Sequence, residues 1–503
     1  MSDTTKPDYQ SPEYAAELVP QWEFVDTVLD GTLAMRKAKG TMLPQFPAEH
    51  DDVYDDRVAS ATSDGDYKDT LDGLVGMVFA KPVTIGANVP AQIVQHFENI
   101  DLKGTHFNVF NQRLFRRGVH YGAAYVLTDM QRRPTNLQGQ QMDAAQARAL
   151  NLRPYATLYS AKEVQNDPTY VTIRGAQVLQ QIVFRECRYV PNGFGSEEVE
   201  RYRVWRLPVE ETEMGDFIAT GPVEWEIWEE REVQQGDKAG KELTKIDGDT
   251  TTLTGIPVSI FNANPDPDNE TECDGPTMYD LAELCAKEFS KQSDFENTLH
   301  YCKAVPYASG MKANEDTVFT QIAWGPGVFF ELEQGGSMGF AEPHGNAFPT
   351  WEKYLANLKE RIKQKGLEMV MEGGAVNSTA TEQVLRAKKR ASRLAMLSEA
   401  VHDCIENVAR HFAMWMGLPA DTGGEFTMGM SADELTLTAQ DLTALNTSVA
   451  GGNLSKLTFL QIMKRAGLLP DEVTPEIEVQ RLAEQKASEP PPIVQTPQLM
   501  KAA

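Results

Sequence analysis

The sequence lacks most of what builds a catalytic centre. Its 503 residues include five cysteines, Cys187, Cys273, Cys285, Cys302 and Cys404, and no two of them form a CxxC pair. An odd, widely spaced set argues against a disulfide framework and for a reducing compartment. The eight histidines fall in no HExxH or HxH pattern and no Cys/His cluster, so neither a zinc site nor any other cofactor is expected. There is no Walker A loop: Gly236 to Lys241 gives GxxxGK, one residue short of a phosphate cradle, and no GxGxxG occurs. Nowhere do 18 apolar residues run together, so no membrane span is expected. Residues 1–10 are polar and acidic without an apolar core, so no secretory signal is expected there.

Positive charge is also scarce. The chain has 47 Lys and Arg against 73 Asp and Glu, a formal net charge of −26. Proteins that wrap nucleic acid show a basic footprint, so tight gripping of DNA by the whole surface is excluded. Brief contact with a passing duplex is compatible with such a charge, because like charges repel.

What is present is a long chain with ordinary globular content, 41% hydrophobic and 24% charged, which implies two to four domains. Residues 11–150 read as mostly helical. Trp22, Val25, Val28 and Leu29 recur at helical spacing, as do Leu71, Leu74, Val75 and Val78 ahead of Pro82, then Phe107, Phe110, Leu114 and Val119. From 155 to 262 the period changes to that of strands. Val223, Trp225 and Ile227 alternate with Glu224 and Glu226, and 181–190 and 201–207 read likewise. Residues 234–249, rich in Gly, Lys and Asp, predict an exposed hairpin loop, 256–261 a strand closing the sheet, and 262–275 a linker.

A second helical region follows. Residues 276–301 carry Leu281, Leu284, Phe289 and Phe295; 303–348 are rich in Gly and Pro, with a strand predicted at 328–332. Residues 350–371 then place Trp351, Tyr354, Leu355, Leu358, Ile362 and Leu367 on one broad face. Residues 379–418 keep an apolar stripe through Val384, Ala387, Ala391, Leu394, Leu397, Val401, Cys404 or Ile405, Val408, Phe412 and Trp415. A helix of that length crosses a large assembly or bends. Gly373 and Gly374 break the helical pattern between the two, and Thr379 with Glu382 has capping-box spacing. A helical module at 432–487 and a Pro-rich tail complete the chain.

Two features invite a chemical reading. Gly335-Gly-Ser337-Met-Gly339 fits the GxSxG nucleophile elbow and follows the strand predicted at 328–332. The elbow must turn directly into a helix, whereas Pro343, Gly345 and Pro349 follow here, so a Gly-rich hairpin or loop is the favoured alternative to a serine hydrolase using Ser337. The second feature is charge. Between 350 and 394 ten basic residues face five acidic ones, the densest run being Arg386, Lys388, Lys389, Arg390 and Arg393. A solvated helix face explains this as readily as contact with an acidic neighbour or with phosphates. Pairing between subunits is favoured for Arg386 to Arg393; for Lys359, Arg361, Lys363 and Lys365 channel lining and subunit pairing both stay open.

From Trp22 to Glu484 the order of elements resembles the portal proteins (head-to-tail connectors) of double-stranded DNA phages. The stretches that carry the resemblance are Thr70-Leu-Asp-Gly-Leu-Val-Gly-Met-Val-Phe79 with Lys81-Pro82, Gly255-Ile-Pro-Val-Ser-Ile-Phe261, Glu342-Pro-His-Gly345, Thr379-Ala-Thr-Glu382 and Met414-Trp-Met-Gly417. The resemblance implies an α+β portal fold with an α/β wing, two-helix stem, small α/β clip, long kinked helix and helical crown. Its parts would be a wing over 1–262, a linker and first stem helix over 263–302, a clip over 303–348 and a second stem helix over 349–371. A tunnel loop over 372–379 would follow, with Glu372, Gly373, Gly374, Ala375, Val376, Asn377 and Ser378, then a long helix returning to the wing over 380–431, a crown over 432–487 and a tail over 488–503. It further implies no enzyme but a homo-oligomer of twelve subunits at one virion vertex, assembled in the host cytoplasm. Double-stranded DNA would pass through without sequence readout. The implied partners are the terminase large subunit, then a head-completion or tail adaptor, with capsid and scaffolding proteins, and no membrane. Another virion structural or adaptor protein is the remaining alternative.

Overall fold

The computed structural model describes residues 6–132, 152–213, 215–235, 238–269, 271–301, 305–311, 332–341, 348–369, 380–428, 439–451, 454–465, 468–469 and 473–488. The fold is α+β, with every described strand pairing antiparallel. Two compact units are built from interleaved stretches: a larger one from 1–9, 72–273 and 368–503, and a smaller one from 10–71 and 274–367. Residues 10–71 thus group with the 274–367 helices and not with the strands of the 1–262 stretch.

Among the described residues the larger unit holds a five-stranded and a three-stranded sheet, beside the two-stranded pairs Thr84–Ile85 with Phe426–Thr427 and Val209–Glu211 with Phe217–Ala219. The first runs Lys238–Thr250, Glu224–Gln235, Gly195–Arg206, Ala176–Asn192, Thr169–Ile173 in spatial order. Val183, Tyr202 and Val204 are buried on it, with Trp228 and Leu243 packed beside them. Residues 238–249, read from sequence as loop, are strand: Leu243 pairs with Glu230 and Lys241 with Glu232 across an edge hairpin. The Lys- and Asp-rich composition that suggested a loop is also what an exposed edge strand tolerates, because charge there discourages pairing with other chains.

The second sheet orders Val258–Asn262, Ala123–Met130 and Pro154–Ser160. The 256–261 run, expected to close the first sheet, therefore belongs to a separate one. Its partner, Ala123–Met130, has its first six residues buried, which fits a continuously apolar central strand. The 36-residue helix Ala380–Trp415 packs on this sheet through Val401, Cys404, Ile405, Val408 and Phe412, all buried at i, i+3, i+4 spacing. Trp415 Nε1 donates to the Thr128 carbonyl at 2.8 Å. Phe97, Phe107, Phe412 and Phe426 form an aromatic cluster beneath the helix. Gly118, in helix Phe107–Tyr121, lies against the Phe261 ring, where any Cβ would collide. Helices Ala439–Ala450, Lys456–Arg465 and Pro475–Ser488 realise the helical module expected over 432–487.

Among its described residues the smaller unit is helical apart from one hairpin. Helix Pro12–Leu29 starts at Ser11, whose side chain accepts from the Tyr14 amide at 3.2 Å, with Pro12 at the first helical position. It buries Trp22, Val25 and Val28. Helices Asp51–Ser60, Tyr279–Tyr301 and Phe348–Met369 follow, the last two separated by the hairpin Val305–Met311 with Leu332–Ala341. Of the strand anticipated over 328–332, residues 328–331 lie outside the described residues, and Leu332 begins the strand Leu332–Ala341.

Candidate functional site

The region that tests the sequence reading is the helix–hairpin–helix of the smaller unit. Contacts at three levels fix its geometry. Phe295 stacks on Trp351, with ring centroids 6.1 Å apart. Lys359 Nζ sits 3.5 Å from a Glu288 carboxylate oxygen. Lys365 Nζ reaches Asp280 at 2.5 Å. Moving up one sequence (280, 288, 295) moves down the other (365, 359, 351), so the two helices run antiparallel. The steps are about two helical turns each, the spacing of one face. The hairpin joins the ends marked by Phe295 and Trp351. Leu281, Cys285 and Phe289 of the first helix and Leu358 and Ile362 of the second are buried.

Two more contacts tie this pair to residues 10–71. Arg57, on Asp51–Ser60, is 1% exposed in its side chain and bridges Glu49 at 2.7 Å and Asp294 at 3.0 Å, with the Pro44 carbonyl at 2.8 Å. The hydrogen bond from Arg57 holds the Glu49 carboxyl below its usual value, against the opposing effect of burial. Gly366 approaches Thr70 so closely that a Cβ there would lie 2.7 Å from Oγ1.

The basic residues expected to line a channel or pair subunits behave differently from one another. Lys359 donates to Asp64 at 2.7 Å besides facing Glu288, and the Asp64 hydrogen bond raises its pKa. Burial, then the Asp64 charge, raises Glu288; the same two causes raise Asp66, with Lys363 and Lys359 opposing. The charge of Lys359 and Lys365 is thus balanced by acids of the same unit. Arg361, Lys363 and Arg393 are exposed. The side chains of Arg386, Lys388, Lys389 and Arg390 lie outside the described residues, as do the loop residues Glu372, Gly373, Gly374, Ala375, Val376, Asn377 and Ser378 and the cap at Thr379.

Ser337 lies mid-strand in Leu332–Ala341, opposite Ser309, with the two hydroxyl oxygens 2.9 Å apart. The strand continues through Ala341 and pairs with Val305 there, so Ser337 is not at a strand-to-helix turn. The geometry that would hold a nucleophile at a helix start is absent at this serine.

Sequence reasoning missed a second charged group, in the larger unit. Arg203 lies between Asp129 and Glu186, at 2.8 Å from each, with the Tyr155 hydroxyl 3.2 Å from Asp129 and the Tyr159 hydroxyl on Glu186. Burial, then the Asp129 charge, pushes the Tyr155 phenol up to about 12. One signal was available: Arg201 and Arg203 are two apart in a strand and therefore share a face. Among the described residues no group of three or more His, Cys, Asp or Glu is arranged to hold a metal.

Comparison with known proteins adds three facts. The profile of a domain of unknown function, DUF4055, matches residues 277–416, from the start of the helix–hairpin–helix to the end of the long helix. No curated protein sequence matches the chain. Among solved structures, one described as "Neck of empty GTA particle computed with C6 symmetry" superposes with a TM-score of 0.37 at 11% identity, covering 88% of this chain and 99% of that chain.

Proposed function

We propose that the chain is the subunit of a phage portal ring, the conduit for genome packaging and ejection. The observation that carries this reading is the antiparallel pair Tyr279–Tyr301 and Phe348–Met369, joined by the hairpin and followed by the 36-residue helix. That succession is the stem, clip, second stem and long helix that the family resemblance implies, and one family profile spans it.

In this reading the pair is a stem and the hairpin a clip that seats the packaging terminase, then a head-completion or tail adaptor. The 372–379 stretch is the tunnel loop and 432–487 the crown. Capsid and scaffolding proteins meet the ring at its periphery, at one vertex of the virion. The chain then performs no covalent chemistry. A net charge of −26 per subunit suits a duplex that must slide, because a duplex carries about one charge per 1.7 Å of axis and a basic wall would hold it. Lys359 and Lys365, paired within their own subunit, are stem stabilisers; exposed Arg361, Lys363 and Arg393 are the candidates for contact with DNA or a neighbouring subunit.

The test is assembly. Purified full-length chain, with scaffolding protein present in a parallel sample, is expected to form twelve-subunit rings of about 0.67 MDa from the 55.9 kDa chain, seen as ring class averages in negative stain. A monomer under both conditions sinks the proposal.

A further inference from the structure

The five-stranded sheet of the larger unit carries a projection that its own residues do not cover. Strands Ala176–Asn192 and Gly195–Arg206 pair out to Asn192 with Gly195. Glu224–Gln235 accompanies them only as far as Arg201 with Glu229, and Thr169–Ile173 only to Gln181. Residues 187–200 therefore form a two-stranded ribbon without a third strand among the described residues. Gly193, at φ 60, makes the two-residue turn that puts Phe194 at the tip. Phe194 is fully exposed, at 114%, and Tyr189 is 65% exposed. Glu197, Glu198 and Glu200 against Arg188 make the ribbon acidic. A lone ribbon is marginal in water, and its two open edges invite pairing.

On the same sheet lies an open cleft of about 670 Å³ with the opposite character. Arg132, Arg201, Arg203 and Arg231 line it against one lining carboxylate, Asp247, and Leu102 and Ile246 supply apolar surface. Arg132 stacks on Trp225 at 4.1 Å and also pairs with Asp247. Glu229 is shared by three guanidiniums: Arg201 at 2.5 Å, Arg188 at 3.3 Å and Arg231 at 4.0 Å. Arg203 is met by Asp129 and Glu186 and Arg132 by Asp247, but Glu229 must serve Arg201, Arg188 and Arg231 together, so Arg231, 60% exposed and 4.0 Å away, keeps donors open at the rim for a further carboxylate.

We propose that the 187–200 ribbon of one copy seats in the arginine cleft of a second copy, with Phe194 against Leu102 and Ile246, and Glu197 and Glu198 among Arg132, Arg201 and Arg231. The ribbon cannot serve its own cleft. It leaves the sheet at Arg201, itself a lining residue, and a strand rises about 3.3 Å per residue, so Phe194 stands roughly 20 Å beyond it. The match is an aromatic anchor with an acidic shank for an apolar patch with a cationic rim. The contact joins two different surfaces, the head-to-tail type that closes rings; in this it deepens the portal reading and rests on it.

Two arms test it on the full-length chain. In the first, p-benzoylphenylalanine is placed at position 194 of an isotope-labelled chain, mixed with unlabelled chain and photolysed. Cross-links are expected from labelled position 194 to unlabelled peptides containing Leu102 or Ile246. In the second, Arg231→Glu and the pair Glu197→Arg with Glu198→Arg are each expected to weaken association in sedimentation by at least about tenfold, and their combination in one chain to recover most of it. Circular dichroism checks folding, and the cross-linking arm, which leaves every charge intact, decides the matter if a charge variant misfolds. Wild-type rings whose cross-links fall outside the cleft, or charge variants that assemble like wild type, overturn the ribbon contact and leave the ring standing. Cross-links into the second copy's cleft in complexes that never close keep the contact and overturn the ring.

Discussion

Phe295 and Trp351 stack nearly parallel, with planes inclined by 16° and centroids 6.1 Å apart, at the end of the helix pair that carries the hairpin. Phe348 adds an edge contact to Phe295 at 6.3 Å. Both stacked residues are partly exposed, so their mutual contact, and not deep burial, holds the helix ends together. A double-mutant cycle with Phe295→Ala and Trp351→Ala is expected to show a coupling of about 0.5–1.5 kcal/mol in denaturant unfolding. Strict additivity would mean that the stack does not fasten the pair.

Arg57 is the electrostatic centre of the smaller unit. Arg57→Met leaves Glu49 buried without its cation and Asp294 with Lys291 alone at 2.9 Å, and should cost about 3 kcal/mol. Adding Glu49→Gln should recover part of that loss, because the uncompensated charge goes with it. Acid acts through the same group. Glu49 is held below its usual value, so its contribution is present above the unfolded value near 4.5 and is lost as pH falls through the folded one. Hydrogen exchange of the Tyr279–Tyr301 amides reports both effects.

Gly366 sits inside a helix, where alanine would gain about 1 kcal/mol of propensity. Its Cβ would lie 2.7 Å from Thr70 Oγ1, and overpacking of that kind costs about 1–3 kcal/mol. Gly366→Ala is therefore expected to lower the melting temperature, and Gly366→Ala with Thr70→Ala to reverse the sign. If the single substitution stabilises the protein, the close approach is not tight.

His411, on the long helix, shares a 3.1 Å hydrogen bond with Ser259 of the second sheet. Burial, with the nearby Arg410 charge, pushes the imidazole down to about 4. The unfolded chain takes up this proton near 6.5 and the folded chain only near 4. Stability therefore falls as pH drops through that window and is regained above it. The melting temperature should fall between pH 6.5 and 4, and His411→Gln should flatten that part of the profile.

Asp167 titrates in the opposite sense. Burial, then the Glu272 charge, raises its carboxyl to about 6. The folded state holds this proton more tightly than the unfolded one, so the favourable contribution is complete below 3.8 and lost as pH rises through about 6. Asp167→Asn should stabilise the protein at pH 7.5 by about 1 kcal/mol, a value kept small by solvent screening, and make no difference at pH 3.5. An unchanged melting temperature at pH 7.5 would contradict this.

Much of the local structure was legible in the residues themselves. Trp22, Val25 and Val28 are buried on one helix, and the stripe from Val401 to Phe412 faces the sheet, because helical period and apolar side chains determine which face leaves water. The central strand Ala123–Met130 contains the apolar run 124–127, because a strand covered on both faces has no polar alternation. Composition misled at 238–249, since an exposed edge strand and a loop favour the same charged residues.

What the sequence by itself determined is the order and kind of the elements, the helix–hairpin–helix before a long helix, and the excess of negative charge; these depend on neighbours a few residues apart. Only the tertiary structure decided that Arg57 meets Asp294 across 237 positions, that Lys359 and Lys365 are balanced by Asp64, Glu288 and Asp280, and that Arg132, Arg201, Arg203 and Arg231 share one cleft. Charge partners are chosen by proximity in space. A Coulomb interaction depends on distance and burial, and neither is written in the spacing of residues along the chain.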